Sequence, residues 1–276
     1  PSNGSNNAYN FITQTAPKVR DITQSNAQLD AMDLVGGEDY EKLESARLLS
    51  SSEYSLNSAL GYVSLKSTLQ PDQVLAVAFE YTYRGQTYQV GEFSTDVKDN
   101  TQALLVKSLK NTANTPKMGN WKLMMRNVYA LGATAVQRER FSLDIKYLSD
   151  TTGVDISYLP IPRLKDKRLL SLLGLDNLDN NARRVPNGYF DFVEGYTIDA
   201  ASGRVFFPQV EPFGSFLANV IGDADVARNF AYTELYDSTR TIAKQVAEHN
   251  KFVIKGRYKA TKSDEIVLNT SGIPQG

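Results

Sequence analysis

Between residues 74 and 94 the chain reads VLAVAFEYTYRGQTYQVGEFS, and large side chains recur at every second position. Leu75, Val77, Phe79, Tyr81 and Tyr83 alternate with Val74, Ala76, Ala78, Glu80 and Thr82. This is the period of a strand with its large residues on one face. Arg84-Gly85 breaks the pattern, and Gly85 tolerates a positive φ. Gln86 to Phe93 forms the return arm. A two-residue turn would pair Tyr81 with Tyr88 and Phe79 with Val90, whereas a three-residue loop with Gly85 in a left-handed bulge shifts the register by one. Arginine is not a favoured first residue of a type I′ turn, so the bulged form is expected. A lone hairpin is marginal in water, so other elements are expected to cover its apolar face.

The flanking pattern supplies further elements. Gly61–Leu65, Trp121–Leu131, Arg140–Leu148 and Val154–Leu159 read as strands. In the second of these Trp121, Leu123, Met125, Tyr129 and Leu131 would share a face. In the third, Phe141, Leu143, Ile145 and Tyr147 alternate with Ser142, Asp144 and Lys146. Ala103–Lys110 fits helix and strand equally. A helix is expected near Gln28–Leu34, and another at Tyr40–Ala46 capped by Asp39. Leu164–Leu173 reads as a short amphipathic helix, and Gly195–Asp199 with Gly203–Phe207 as a second hairpin. Phe213–Ile221 and most of Asp223–His249 read as helical, with a break near Tyr236. The last helix is capped by Asp237 or Ser238 and turns Ile242, Ala243, Val246 and Ala247 inward. Phe252–Tyr258 and Glu265–Leu268 close the chain as strands. The fold class is therefore α+β, mainly antiparallel β and sandwich-like, with several short helices and a helical segment near the C-terminus. Residues 1–37, rich in Ser, Asn, Gln and Thr, read as an extended or mobile arm. Residues 38–160 read as a β-rich domain. Residues 161–276 read as a mixed helix and hairpin region, with the proline-rich break near residue 160 as the boundary between them.

Composition narrows the chemistry. Lys+Arg is 30 and Asp+Glu is 31, so there is no overall basic bias of the kind that general nucleic-acid or anionic-membrane binding requires. Cysteine is absent and His249 is the single histidine, which removes thiolate sites and most histidine-based triads and metal centres. No apolar run reaches the length of a membrane-spanning helix. Both ends read as cuts inside a longer protein.

Four candidate sites arise from the residues. Asp176, Asp179 and Asp191, in a loop with Asn177, Asn180, Asn181 and Gly188, have the composition of a calcium loop. The spacing fails the EF-hand pattern, Arg183 and Arg184 interrupt it, and a solvated turn is expected. The 15 tyrosines could supply a carbohydrate-stacking platform, but burial in a core is the expected role. Glu80 and Glu92 could form a glycosidase-like carboxylate pair and are expected instead to be exposed on strands. His249 is expected to be structural, near a helix C-terminus. No catalytic residue, metal ligand or cofactor-binding residue is assigned.

Six runs carry a further resemblance: GYVSL (61–65), the run 74–94, WKLMMRNVYALG (121–132), GYFDFVEGYTIDAASGRVFFP (188–208), VEPFGSFL (210–217) and ELYDSTRTIAKQVAEHNKFVIKGRYK (234–259). In this order, from about residue 43 onward, the chain resembles the SprA/Sov family of outer-membrane translocons of the type IX secretion system in the Bacteroidota, which also serve gliding motility. The resemblance implies a non-enzymatic extramembrane segment of a very large β-barrel protein, at the outer membrane and on the cell surface rather than in the periplasm. It implies contacts with other parts of the same translocon chain, a PorV-like barrel, a plug protein and secreted cargo. It implies no nucleic acid and no membrane span within this segment. A glycan-binding β-sandwich of a cell-surface protein is the alternative.

Overall fold

A computed structural model describes residues 6–97, 99, 101–113, 118–179, 181–259 and 266–270. The chain divides into two compact units, one comprising residues 1–55 and 63–115 and the other residues 56–62 and 116–276. The fold class is α+β, with small antiparallel sheets and short helices.

The first unit begins with α1 (Asn7–Thr15), a 3₁₀ turn at Pro17–Arg20 and α2 (Ser25–Asp30). The segment expected to be extended is thus helical over these stretches, and Val19 and Leu29 are buried. No helix follows Asp39. Its carboxylate instead accepts the Val35 N–H at 2.8 Å, while the Tyr40 hydroxyl donates to Asp30 at 2.7 Å. These side-chain bonds give the backbone an alternative to a helical turn. β1 (Tyr54–Asn57) and β2 (Tyr62–Leu65) form a ribbon, with residues 56–62 grouped with the second unit. β3 (Leu75–Val77) pairs with β6 (Lys107–Lys110), and β4 (Phe79–Tyr83) pairs with β5 (Gln86–Val90). The residues that fitted helix and strand equally are therefore strand over their last four positions.

The turn between β4 and β5 differs from expectation. Tyr83 pairs with Gln86 and Tyr81 with Tyr88, which is the two-residue register. Arg84 takes φ +52° and Gly85 φ +78°. Holding a non-glycine residue in the left-handed region costs about 1–2 kcal/mol. The hairpin offsets this with the Tyr81–Tyr88 stack at 5.2 Å and with the Arg84 guanidinium 5.2 Å from the Tyr83 ring centre. Asparagine adopts this conformation at lower cost. Arg84→Asn is expected to stabilise the hairpin by about 0.5–1 kcal/mol, read as slower amide exchange at Gln86. Faster exchange would show that the arginine–tyrosine contact outweighs the backbone cost.

The second unit holds the main core. It contains α3 (Met118–Leu123), β7 (Val128–Ala130), β8 (Ser142–Leu148), β9 (Asp155–Ile156), α4 (Leu169–Leu172), β10 (Ile198–Asp199) and β11 (Arg204–Phe206). These are followed by α5 (Ser215–Ile221), α6 (Ala224–Ala227), α7 (Glu234–Asp237), α8 (Arg240–Gln245), β12 (Phe252–Tyr258) and β13 (Ile266–Thr270). β13-β12-β8-β9 form one antiparallel sheet and β10-β11-β7 another. Leu143, Ile145 and Tyr147 of β8 lie buried with Phe252, Ile254 and Tyr258 of β12, as the alternation predicts. Their covering comes from helical and loop residues, among them Leu169, Leu170, Phe213, Leu217 and Leu235. Tyr129, Ile198 and Val205 of the three-stranded sheet belong to the same core.

Two readings of this unit are corrected. Trp121–Leu123 ends a helix, and only Val128–Ala130 of the expected Trp121–Leu131 strand is extended. Trp121 is buried, whereas Leu123 and Met125 are exposed. The last helix is capped by Thr239, whose hydroxyl accepts the Ile242 N–H at 3.3 Å, in place of Asp237 or Ser238. Ala243 is its buried residue, and Ile242 and Ala247 face outward. Expected Glu265 lies outside the described residues.

Candidate functional site

In the first unit few apolar side chains are buried, and a polar tie joins its segments. Glu92 is buried rather than exposed. It receives the Arg20 guanidinium at 2.5 and 3.2 Å, the Tyr9 hydroxyl at 2.8 Å and the Leu105 N–H at 2.9 Å. The Glu92 N–H in turn donates to the Leu105 carbonyl at 2.9 Å. Burial by itself would raise the Glu92 pKa. The Arg20 guanidinium, the Leu105 N–H and the Tyr9 hydroxyl more than offset it and hold the carboxyl below its ordinary value. Glu80 is exposed on β4. Both Glu92 oxygens are engaged by these donors.

The aromatic face of the same unit also departs from expectation. Phe79, Tyr81 and Tyr83 are 39–43% exposed. Phe79 and Tyr81 lie 6.1 Å apart, and Tyr81 stacks on Tyr88. These rings form an open ladder instead of a core. Tyr129, Tyr147, Tyr232, Tyr236 and Tyr258 of the second unit are core residues.

The Asp-rich loop is tied by its own backbone. Asp176 is fully buried and accepts Asn187 N–H at 2.8 Å, Gly188 N–H at 3.0 Å and the Ser171 hydroxyl at 2.6 Å. Asp191 accepts Asn177 N–H at 2.6 Å and Leu178 N–H at 3.1 Å. Asp179 turns to Arg183 at 2.6 Å. These carboxylates satisfy N–H donors that a calcium ion would have to displace, and among the described residues no group of three or more acidic or histidine side chains converges. Burial raises the Asp191 pKa, and the nearby Asp176 adds to the effect. His249 donates from Nδ1 to the Glu234 carboxylate at 2.9 Å, which ties the segment after α8 to α7. Over the polar face of the four-stranded sheet lies a cleft of about 430 Å³. Its Arg168 spans Asp144 and the Gly188 carbonyl, both at 2.8 Å.

The remaining network joins residues distant in sequence. The Trp121 indole N–H donates to the Leu235 carbonyl at 3.0 Å. The Phe213 N–H donates to the Tyr236 hydroxyl at 3.1 Å, and the Phe213 carbonyl accepts the Tyr232 N–H at 2.7 Å. The Phe213 ring packs on Phe252 at 4.8 Å, Phe207 at 5.3 Å and Tyr129 at 6.2 Å. Tyr62 stacks on Phe206 at 4.7 Å. Burial pushes the Tyr232 hydroxyl up to about 12 and the Tyr236 hydroxyl higher still, so both stay protonated near neutrality. No protein-family model matches the chain, and no curated protein matches it. This network is built from backbone groups and aromatic rings. Sequence reading missed its hydrogen bonds, and also the Arg20–Glu92 tie and the buried Arg126. None of these has a local pattern, because the partners are supplied from far along the chain.

Proposed function

We propose that this chain is a non-enzymatic extramembrane domain of a SprA/Sov-like outer-membrane protein translocon. It contributes to type IX secretion and gliding motility through structural and protein–protein contacts. The supporting observation is that runs carrying the resemblance interlock in one core. Trp121 of WKLMMRNVYALG bonds Leu235 of ELYD, and Phe213 of EPFG bonds Tyr236 and packs on Phe207 and Phe252. A set of ordered runs that meet through buried rings and backbone bonds marks a shared packing solution. The described buried carboxylates Glu92, Asp176 and Asp191 all hold backbone or partner side chains, which fits a structural role. On this reading the partners are the rest of the translocon chain, a PorV-like barrel, a plug protein and secreted cargo, with the segment on the cell-surface side.

An epitope inserted after Ala113 at the native locus tests this. Cofractionation with the outer membrane and labelling of intact cells are expected. Labelling only after permeabilisation would move the domain to the periplasm, and fractionation away from the outer membrane would sink the translocon reading. A glycan-binding role is the second reading, favoured by the open Phe79–Tyr81–Tyr83 ladder. Saturable quenching of tyrosine emission by an oligosaccharide, abolished in Tyr81→Ala, would support it.

A further inference from the structure

The cleft over the polar face of the four-stranded sheet plays no part in the ring network. Its volume of about 430 Å³ lies within the range of small-ligand sites. Among the described residues lining it, Asp144 is the one carboxylate, and Arg168, Lys255 and Arg257 are the cations. Asp144 is matched twice, by Arg168 and by Lys146, each at 2.8 Å. Lys255 is bonded to Asp155. Even with Arg257 set aside, Lys146, Arg168 and Lys255 outnumber the two carboxylates, so the cleft draws anions.

One cation and one ring are fixed there. Arg168 donates from one terminal nitrogen to Asp144 and from the other to the Gly188 carbonyl, while its side chain stays 44% exposed. Each terminal nitrogen carries a second hydrogen, so the anchored guanidinium has donors left to offer. Gly188 takes φ +85°, and a Cβ there would come within 3.3 Å of this guanidinium. The Gly188 N–H is held by buried Asp176 at 3.0 Å. Next along the chain, Phe190 packs on Phe141 at 5.4 Å, whereas Tyr189 turns outward and is 72% exposed. An open phenol ring therefore stands beside a positioned cation.

This arrangement selects among ligands. An apolar ligand needs apolar walls, and these are charged. The adjoining edge of β8 suits an added peptide strand poorly, because the Ile145 N–H already goes to the Asp144 carboxylate at 3.0 Å. A pyranose ring lays its C–H face on an open tyrosine and keeps its hydroxyls in water. A carboxylate on that ring meets a guanidinium through charge-assisted bonds. We propose that the cleft binds a sugar acid of the uronate type, with the pyranose on Tyr189 and the carboxylate on Arg168 and Lys255. The site is separate from the Phe79–Tyr81–Tyr83 ladder and does not rest on the translocon reading.

The full chain would be titrated with methyl glucuronoside, and with methyl glucoside and inorganic phosphate for comparison, while the Gly188 and Gly256 amide resonances are followed. Saturable shifts are expected with the glucuronoside in the millimolar range, and binding at least about tenfold weaker with the neutral glucoside. Arg168→Gln should weaken glucuronoside binding about tenfold, the share of a hydrogen bond to a charged group. Tyr189→Ala, at a strongly exposed position that leaves the core intact, should weaken it about threefold or more. Tyr81→Ala should leave it unchanged, so that this site and the ladder fail separately. An equal response to the glucoside or to phosphate, no saturable shift with the glucuronoside, or undiminished binding in Tyr189→Ala would overturn the inference.

Discussion

Phe213→Ala is expected to lower the unfolding free energy of the second unit by about 3–5 kcal/mol, the usual cost of emptying a fully buried aromatic site. Phe213 is fully buried, and its ring touches three others that are themselves buried, Tyr129, Phe207 and Phe252. These neighbours come from separate elements, so collapse into the void would have to move several at once. Its backbone bonds to Tyr232 and Tyr236 would remain and hold the cavity open. Denaturant titration followed by Trp121 emission measures the loss. Val210→Ser, in the same short run but strongly exposed, should change stability by less than about 0.5 kcal/mol. Similar losses at both positions would mean that Phe213 is not the packing anchor its surroundings indicate.

Glu92→Gln should cost the first unit about 2–3 kcal/mol. Removing one partner of a fully buried ion pair costs about 3–5 kcal/mol, and the partial exposure of the Arg20 side chain places this pair below that range. The glutamine loses the charge that holds Arg20 and weakens the bonds from Tyr9 and Leu105. Amide exchange at Leu105 should accelerate accordingly. The pH dependence has a definite sign. The folded pKa lies below the ordinary value of 4.5, so the stabilisation is full above that value and is lost as pH falls through the depressed folded pKa. The difference in stability between wild type and Glu92→Gln should therefore shrink on acidification below about pH 4.5. A constant difference across that range would show that Glu92 contributes by shape and not by charge.

These two sites show what the amino-acid order reveals and what it withholds. The strands 142–148 and 252–258 were legible because strict alternation places Leu143, Ile145 and Tyr147, and likewise Phe252 and Ile254, on one covered face. The hairpin at Arg84-Gly85 was legible as a hairpin but not in its register, since the cross-strand tyrosine stack outweighed the turn preference of arginine. Alternation at Phe79, Tyr81 and Tyr83 announces a strand but says nothing of whether its large side is covered. Trp121, Leu123 and Met125 also alternate, yet a helix ends among them, because three residues cannot separate the two periods. Glu92 gave no sign of burial because its partners Tyr9 and Arg20 lie more than seventy positions away. Arg126 carries no local sign of burial either, since nothing in the alternation around it shows that its guanidinium stacks on the Trp121 ring.

The pairing of β8 with β12 also sets a folding order. Tyr147 lies opposite Phe252 and Leu143 opposite Gly256, so about a hundred residues must be present before the sheet can zip. Closing so long a loop carries an entropic penalty, and contacts this distant slow folding. A chain emerging from its N-terminus holds the apolar face of β8 open until β12 arrives. Nascent forms ending before residue 252 are therefore the aggregation-prone ones, and the step most in need of a chaperone is the arrival of the last strands.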